Sequence, residues 1–294
     1  MSFAFDLKTE LAQSLPQEEC CRKAFLYGVS LFGKSFNSRD ISINTENEEI
    51  ANSYEKLMDE FFAIECIREK TPGGKWKLSV PSFKERLEVL HFFGHDKNEV
   101  TLKINRSNFD CDNCEGAFFA GAFISCGTIS SPEKDYHLEF VVPYLNLSKS
   151  LVKLLSEFDL NAKTTNRKGY SVIYFKESES IEECLYRMGA HSAAFEIMNI
   201  KVVKDFRNKA NRVANCENAN INRIVNAVAP QLCAIQKIEE KQGLDSLTDE
   251  LREIALLRLE NPEASLQELA DMTTLSRSGV NHRLKKIEKI AEEL

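Results

Sequence analysis

The chain has 294 residues, 43% hydrophobic and 28% charged, with 38 Lys plus Arg against 45 Asp plus Glu for a formal net charge of -7. That is a globular composition long enough for about two domains; it excludes a secreted mini-domain and a coiled-coil rod, and no apolar run approaches the ~20 residues that span a bilayer. Nine cysteines, scattered from Cys20 to Cys233 behind an N-terminus without a signal-peptide core, suit free thiols in a reducing cytoplasm.

In chain order, an apolar helix is predicted from about Cys20 to Phe32, then a polar turn, Asn37-Ser-Arg-Asp40, and the alternating strand Ile41-Ser-Ile-Asn44. A helix from about Glu48 to Phe62 follows, with strands near Ile64 to Arg68 and Trp76 to Val80 on either side of Pro72-Gly73-Gly74, and a helix from about Ser82 to Phe93. The series then recurs: a helix at 114–126, a turn with Pro132, strand Tyr136 to Val142, helix Leu147 to Phe158, strands around Ala162 to Asn166 and Tyr170 to Phe175, and helix Ile181 to Met188. Cys21-Arg-Lys-Ala-Phe-Leu-Tyr-Gly28 and Cys114-Glu-Gly-Ala-Phe-Phe-Ala-Gly121 share Cys, Ala, Phe and Gly at an offset of 93, and Leu90-His-Phe-Phe-Gly94 matches Leu185-Tyr-Arg-Met-Gly189 at 95. A unit of α/β/β/α/β/β/α type is therefore read as duplicated, with repeats at about 20–95 and 114–190.

Charge divides the chain differently. Residues 1–200 hold 23 Lys plus Arg against 30 Asp plus Glu, whereas residues 201–294 are balanced at 15 and 15. Within the balanced third, Lys201, Lys204, Arg207, Lys209, Arg212 and Arg223 stand against Asp205 and Glu217, and Arg277, Arg283, Lys285, Lys286 and Lys289 against Glu288. Phosphate neutralisation needs local positive charge of this kind, although a solvated helix face carries such runs too.

From Thr248 the sequence predicts a capped helix to Glu260, closed by Asn261-Pro262, and a second from Ser265, whose hydroxyl can form a capping box with Glu268. The turn Thr273-Thr-Leu-Ser276 leads into a third helix from Arg277, with Ser276 as its N-cap. Val280, Leu284 and Ile287 share the inner face of that helix, and Arg277, Ser278, Asn281, His282 and Lys285 the outer one. A recognition helix needs this layout, because its N-terminal half must reach base edges while basic residues meet phosphates; Arg277 and Asn281 carry the donors that suit guanine and adenine. An amphipathic surface helix in a small bundle is the plainer alternative.

The two leading helices resemble the signature helices of the LAGLIDADG homing-endonuclease fold. Phe119-Ala-Gly-Ala-Phe-Ile-Ser-Cys-Gly127 overlays the signature with Gly121 and Gly127 at its glycines, and Leu26-Tyr-Gly-Val-Ser-Leu-Phe-Gly-Lys34 follows it with the second glycine one place early. The positions that hold metal-binding acids in that fold carry Ile124 and Cys126 in one copy, and Leu31 and Gly33 in the other. Phosphodiester cleavage there needs carboxylates to hold a hard divalent ion, so the scaffold is read as non-catalytic.

Over essentially its full length the chain resembles the WhiA family of bacterial regulators. The matching segments are Cys20-Cys21-Arg-Lys-Ala, Gly116-Ala-Phe-Phe-Ala-Gly-Ala-Phe, Tyr136-His-Leu-Glu-Phe, Arg207-Asn-Lys-Ala-Asn-Arg-Val-Ala-Asn-Cys-Glu-Asn-Ala-Asn220, Gly243-Leu-Asp-Ser-Leu and Ser276-Arg-Ser-Gly-Val-Asn-His-Arg-Leu284. The resemblance implies an α+β, duplicated LAGLIDADG-like N-terminal domain joined to an all-α helix-turn-helix domain like that of sigma-factor region 4. It also implies a role in transcription control, cell division and chromosome segregation, with sporulation where the organism sporulates.

The division expected is a LAGLIDADG-like domain over 1–205, a basic helical linker over 206–224 and a helix-turn-helix domain over 225–294. Double-stranded DNA is the expected partner, bound through Ser276, Arg277, Ser278, Asn281, His282, Arg283, Lys285 and Lys286. The segment from Arg207 to Asn220 is either a linker or a second DNA arm using Arg207, Asn208, Asn211 and Arg212. The saddle-like sheets of the N-terminal domain could offer a second DNA surface, but its acidity favours contacts with other regulatory or division proteins, and the protein is expected to work in the cytoplasm on the nucleoid. No membrane contact, cofactor, catalytic residue or metal is expected. Cys20-Cys21 and Cys111-Asp-Asn-Cys114 could supply four zinc ligands if the duplicated fold brought the two sites together, but they lack the second two-residue spacing of a zinc framework and read as small side chains packed at helix starts. Two other classes stay open: a scaffold for division proteins, and a metal-dependent endonuclease that recruits acids from elsewhere.

Overall fold

A computed structural model of the chain describes residues 2–99 and 101–294, the side chains of Arg223 and Ile224 excepted. Met1, the first residue of the expected N-terminal domain, and the side chain of Arg223, counted in the first basic run, therefore lie outside the described residues. The chain forms two compact units, Met1–Val203 and Lys204–Leu294.

The first unit opens with a helix that the sequence reading passes over, α1 (Phe3–Gln13), capped by the Ser2 hydroxyl and buried through Leu7 and Leu11. Two copies of one unit follow. The first is α2 (Glu19–Leu31), β1 (Ser35–Phe36), β2 (Ile41–Thr45), α3 (Glu48–Phe62), β3 (Ile67–Lys70), β4 (Trp76–Ser79) and α4 (Phe83–Phe92). The second is α5 (Cys114–Cys126), β5 (Gly127–Ile129), β6 (Leu138–Val142), α6 (Leu145–Ser156), β7 (Lys163–Arg167), β8 (Tyr170–Phe175) and α7 (Ser178–Arg187). Each copy builds an antiparallel four-stranded sheet, in the orders β1-β2-β4-β3 and β5-β6-β8-β7. The repeat read from the sequence is thus a repeat of topology. The α/β/β/α/β/β/α unit counts four strands, but no residues are assigned to β1 and β5 from the sequence, because two or three residues are too few to show an alternation. β3 starts three residues later than expected: Ala63 adopts the left-handed conformation (φ 50), and Ile64 is buried before the chain joins the sheet.

Hydrophobic burial explains the arrangement. α2 is buried from Ala24 to Leu31 and α5 from Gly116 to Ile124, so both are apolar around their circumference and need neighbours on every side. They find each other at the centre, and the buried faces of the sheets join the same core. The sheet registers place Ile43 opposite Leu78 and Phe140 opposite Ile173, all four buried.

Helix α8 runs without interruption from His191 to Gln242, 52 residues including the expected linker at 206–224. Ala193, Ala194 and Ile197 belong to the core of the first unit and Ile235 and Ile238 to that of the second. Pro230 lies inside it and withdraws one N–H from the helical ladder. The second unit continues with α9 (Asp249–Glu260), α10 (Leu266–Asp271) and α11 (Arg277–Glu292), packed through Ile254, Leu269, Val280, Leu284 and Ile287. Among the described residues no helix is long and apolar enough to cross a membrane.

Candidate nucleic-acid interface

The second unit holds its three short helices by local chemistry that the sequence announces. Ser265 and Glu268 form a reciprocal capping box at the start of α10: the Glu268 N–H donates to the Ser265 hydroxyl (3.3 Å) and the Ser265 N–H to the Glu268 carboxylate (2.7 Å). In the turn, the Thr273 hydroxyl donates to the Ala270 carbonyl (3.1 Å) and accepts from the Leu275 N–H (3.2 Å). The Ser276 hydroxyl accepts from the Gly279 N–H (3.2 Å) and starts α11. Thr248 departs from expectation. It occupies the N-cap position of α9, but its side chain makes no capping bond; its carbonyl accepts the N–H groups of Leu251 and Arg252 instead.

Helix α11 presents two chemically different faces. Val280, Leu284, Ile287 and Ala291 are buried against the core, and Ile290 packs partly against it. Ser276, Arg277, Ser278, His282, Lys285 and Lys286 are exposed, and Asn281 is half-buried. Arg283, one of the residues expected to bind DNA, behaves differently: its guanidinium turns back to Glu250 on α9, with N···O 3.1 Å. It braces α11 on α9, leaving Lys285 and Lys286 as the exposed cations in the middle of the helix.

One residue essential to this geometry carries little signal in the sequence. Arg258 is 1% exposed. Its Nη1 donates to the carbonyls of Ala264 (2.6 Å) and Asn261 (3.4 Å), fastening the connection between α9 and α10. Burial lowers its pKa from the usual guanidinium value. Its place in the α9 pattern gives the only sequence signal: Leu251, Ile254, Ala255 and Arg258 fall at helical spacing on the buried face.

The other predicted set, Arg207, Asn208, Asn211 and Arg212, lies on a fully exposed stretch of α8, on one side of the helix by its spacing.

At the signature positions of the N-terminal unit, Leu31 and Ile124 are buried and apolar, and burial pushes the Cys126 thiol up to about 12. Lys8, on α1, donates its ammonium to the Ile124 carbonyl at the end of α5 (2.9 Å). Burial brings its pKa down to about 8. A cation therefore stands at a helix end where the endonuclease signature would set acids around a metal.

Comparison with known proteins agrees in both units. A family model described as WhiA LAGLIDADG-like domain matches residues 115–207, and one described as WhiA C-terminal HTH domain matches residues 210–291. The chain is 39% identical to the "Probable cell division protein WhiA" of Caldicellulosiruptor saccharolyticus, with 100% of this chain and 96% of that protein covered. It is 38% identical to the protein of the same name from Thermoanaerobacter pseudethanolicus, covering 100% of this chain and 98% of that protein. The crystal structure of full-length DUF199/WhiA from Thermotoga maritima matches with a TM-score of 0.61 at 26% identity, over 100% of this chain and 99% of that one. With a degenerate LAGLIDADG-like domain followed by a helix-turn-helix domain, this chain belongs to the WhiA family.

Proposed function

We propose that the protein is a sequence-directed DNA-binding regulator that uses α11 as its recognition helix and its homing-endonuclease-like domain without cleavage chemistry. The observation that carries this reading is the division of α11: an apolar face buried in the unit, and an exposed face with Arg277, Ser278 and His282 in its first two turns and Lys285 and Lys286 beyond. In the major groove, Arg277 and Asn281 meet base edges, with Ser276, Ser278 and His282 beside them. Lys285 and Lys286 meet phosphates, and the Arg283–Glu250 pair sets the angle of the helix. Arg207, Asn208, Asn211 and Arg212, in the basic helical stretch 206–224, add a second, backbone-directed contact.

The non-catalytic assignment rests on substitution at the signature positions and on Lys8, whose ammonium at the Ile124 carbonyl opposes a divalent cation there. The name shared by the relatives supports a role in cell division. Our reading extends this to transcription control and chromosome segregation, to sporulation where the organism sporulates, and to a place in the cytoplasm on the nucleoid.

A second role, contact with regulatory or division proteins, is favoured by a particular surface. Phe195, Met198 and Val202 on the N-terminal part of α8 are 65%, 46% and 68% exposed, an apolar stripe on an acidic unit.

The test is binding of the intact protein to genome-derived duplex fragments across a salt series, with and without Mg2+, with the products run on a gel. Selective, salt-sensitive retention of uncut fragments is the expected result. Fragments cut in Mg2+ would overturn the non-catalytic assignment, and absence of selective retention would transfer the function to protein contacts.

A further inference from the structure

Spacing along the chain argues against Cys20, Cys21, Cys111 and Cys114 as metal ligands, since it shows one Cys-x-x-Cys and one adjacent pair. That ground does not survive folding. Cys20 and Cys21 lie in the first turn of α2, Cys114 is the first residue of α5, and Cys111 precedes it by three residues. The side-by-side packing of α2 and α5 brings all four sulfurs within 4.8 Å of one another. The separations are 3.6 Å for Cys20–Cys111, 3.5 Å for Cys21–Cys111, 3.5 Å for Cys111–Cys114 and 4.0 Å for Cys21–Cys114. All four are free thiols.

These distances select a ligand. A tetrahedral zinc ion with Zn–S of about 2.3 Å sets its sulfurs about 3.8 Å apart, inside the 3.5–4.0 Å span of the four pairs above. A disulfide needs about 2.05 Å, and no pair approaches it. A multi-iron cluster spreads its thiolates more widely, since they bind different irons. We propose that the four cysteines form a structural zinc site that ties the two repeats together.

Three further features suit this. Cys20 and Cys21 come from the first repeat, Cys114 opens the second and Cys111 stands three residues before it; Cys21 and Cys114 are equivalent positions at the offset of 93, so one ion cross-links the halves at the end of their central helix pair. Cys20, Cys21 and Cys114 lie in the first turns of α2 and α5 and Cys111 just before α5, so the positive dipole ends of both helices are near the sulfurs and offset the double negative charge of zinc with four thiolates. Cys21 and Cys114 are buried while Cys20 and Cys111 are half-buried, giving a closed structural site with one edge through which the ion enters.

The experiment is metal analysis of full-length, tag-free protein purified under reducing conditions without chelator. About one zinc per chain is expected. Cys21→Ser with Cys114→Ser should lower the content more than about tenfold. Cys216→Ser with Cys233→Ser, two exposed thiols in the other unit, should retain it. Because the first variant removes buried ligands and can misfold, wild-type protein is also stripped of metal, kept reduced and titrated with Co2+. An intense sulfur-to-cobalt charge-transfer band that saturates at about one equivalent and is bleached by Zn2+ is expected. The proposal is overturned if the folded, reduced protein neither contains zinc nor develops that band, if it is isolated with iron in place of zinc, if the Cys21/Cys114 variant keeps its zinc, or if alkylation of anaerobically lysed cells finds these cysteines already disulfide-bonded. Its outcome is independent of DNA binding, which concerns the other unit.

Discussion

Gly28 on α2 and Gly121 on α5 each sit against the other helix's backbone: a Cβ on Gly28 would stand 2.3 Å from the Phe118 carbonyl oxygen, and one on Gly121 2.1 Å from that of Phe25. Each contact is the other shifted by the repeat offset of 93. The glycines thus serve close approach of two backbones. Gly28→Ala and Gly121→Ala should each destabilise the N-terminal unit by about 3 kcal/mol, because carbonyls in packed helices cannot retreat as a flexible side chain would. Gly73, where an added methyl group would meet nothing within 4 Å, should tolerate alanine with little effect. Urea unfolding of the three variants checks this; an equal, small effect at all three would remove the close-packing account.

On DNA, Arg277→Ala and Lys286→Ala should fail differently. Loss of a base-edge contact costs about 1–3 kcal/mol at a cognate site and little on random duplex, whereas loss of a phosphate contact weakens both alike and flattens the salt dependence by about one unit of slope. Titrations of each variant on a selected fragment and on random sequence at several salt concentrations separate the two. Equal losses on both duplexes for Arg277→Ala would sink its assignment to bases.

Arg258 has no carboxylate partner in the bonds that hold it; its charge meets carbonyl oxygens in a buried place. Arg258→Ala leaves those carbonyls unpaired and opens a cavity, and should cost the C-terminal unit about 2–4 kcal/mol. Arg252→Ala, which removes ion pairs to Asp245 and Asp249 whose side chains are 94% and 95% exposed, should cost less than about 1 kcal/mol. Thermal unfolding followed through the second unit compares them.

Lys8 supplies a pH dependence. Burial lowers its pKa from 10.5 to about 8, so between those values the unfolded chain holds a proton that the folded chain has released. Unfolding then binds protons, and the Lys8 contribution to stability rises with pH through this window. Below pH about 8 the folded state carries the full cost of a buried ammonium, of order 3 kcal/mol from a shift of this size. Lys8→Met removes that cost at every pH. The variant's advantage over wild type should therefore shrink as pH climbs from about 8 to about 10.5. Denaturant midpoints of both proteins across this range test the sign, and an advantage that grew with pH would refute it.

Much of the candidate interface is legible in the sequence because its information is local. Ser265 and Glu268 are three residues apart, Ser276 precedes its helix, and the inner and outer faces of α11 follow from a period of 3.6. The short strands β1 and β5 leave no periodic signal, and the segment that forms α1 reads only as an N-terminus without a signal-peptide core. Arg283 looks like Lys285 and Lys286 in sequence; only its reach to Glu250, 33 residues away, distinguishes it.

By itself the sequence determined the duplicated unit, the two apolar central helices, the acidic and basic division of the chain and the helix-turn-helix with its polar outer face, all written in spacing and composition. Tertiary structure alone decided which distant groups meet. It joined Cys20 and Cys21 to Cys111 and Cys114, and Lys8 to the carbonyl of Ile124 across 116 positions. The physical reason is that α2 and α5 are apolar on every side and must bury against each other. That burial aligns their ends, and with them polar groups whose separation along the chain obeys no local period.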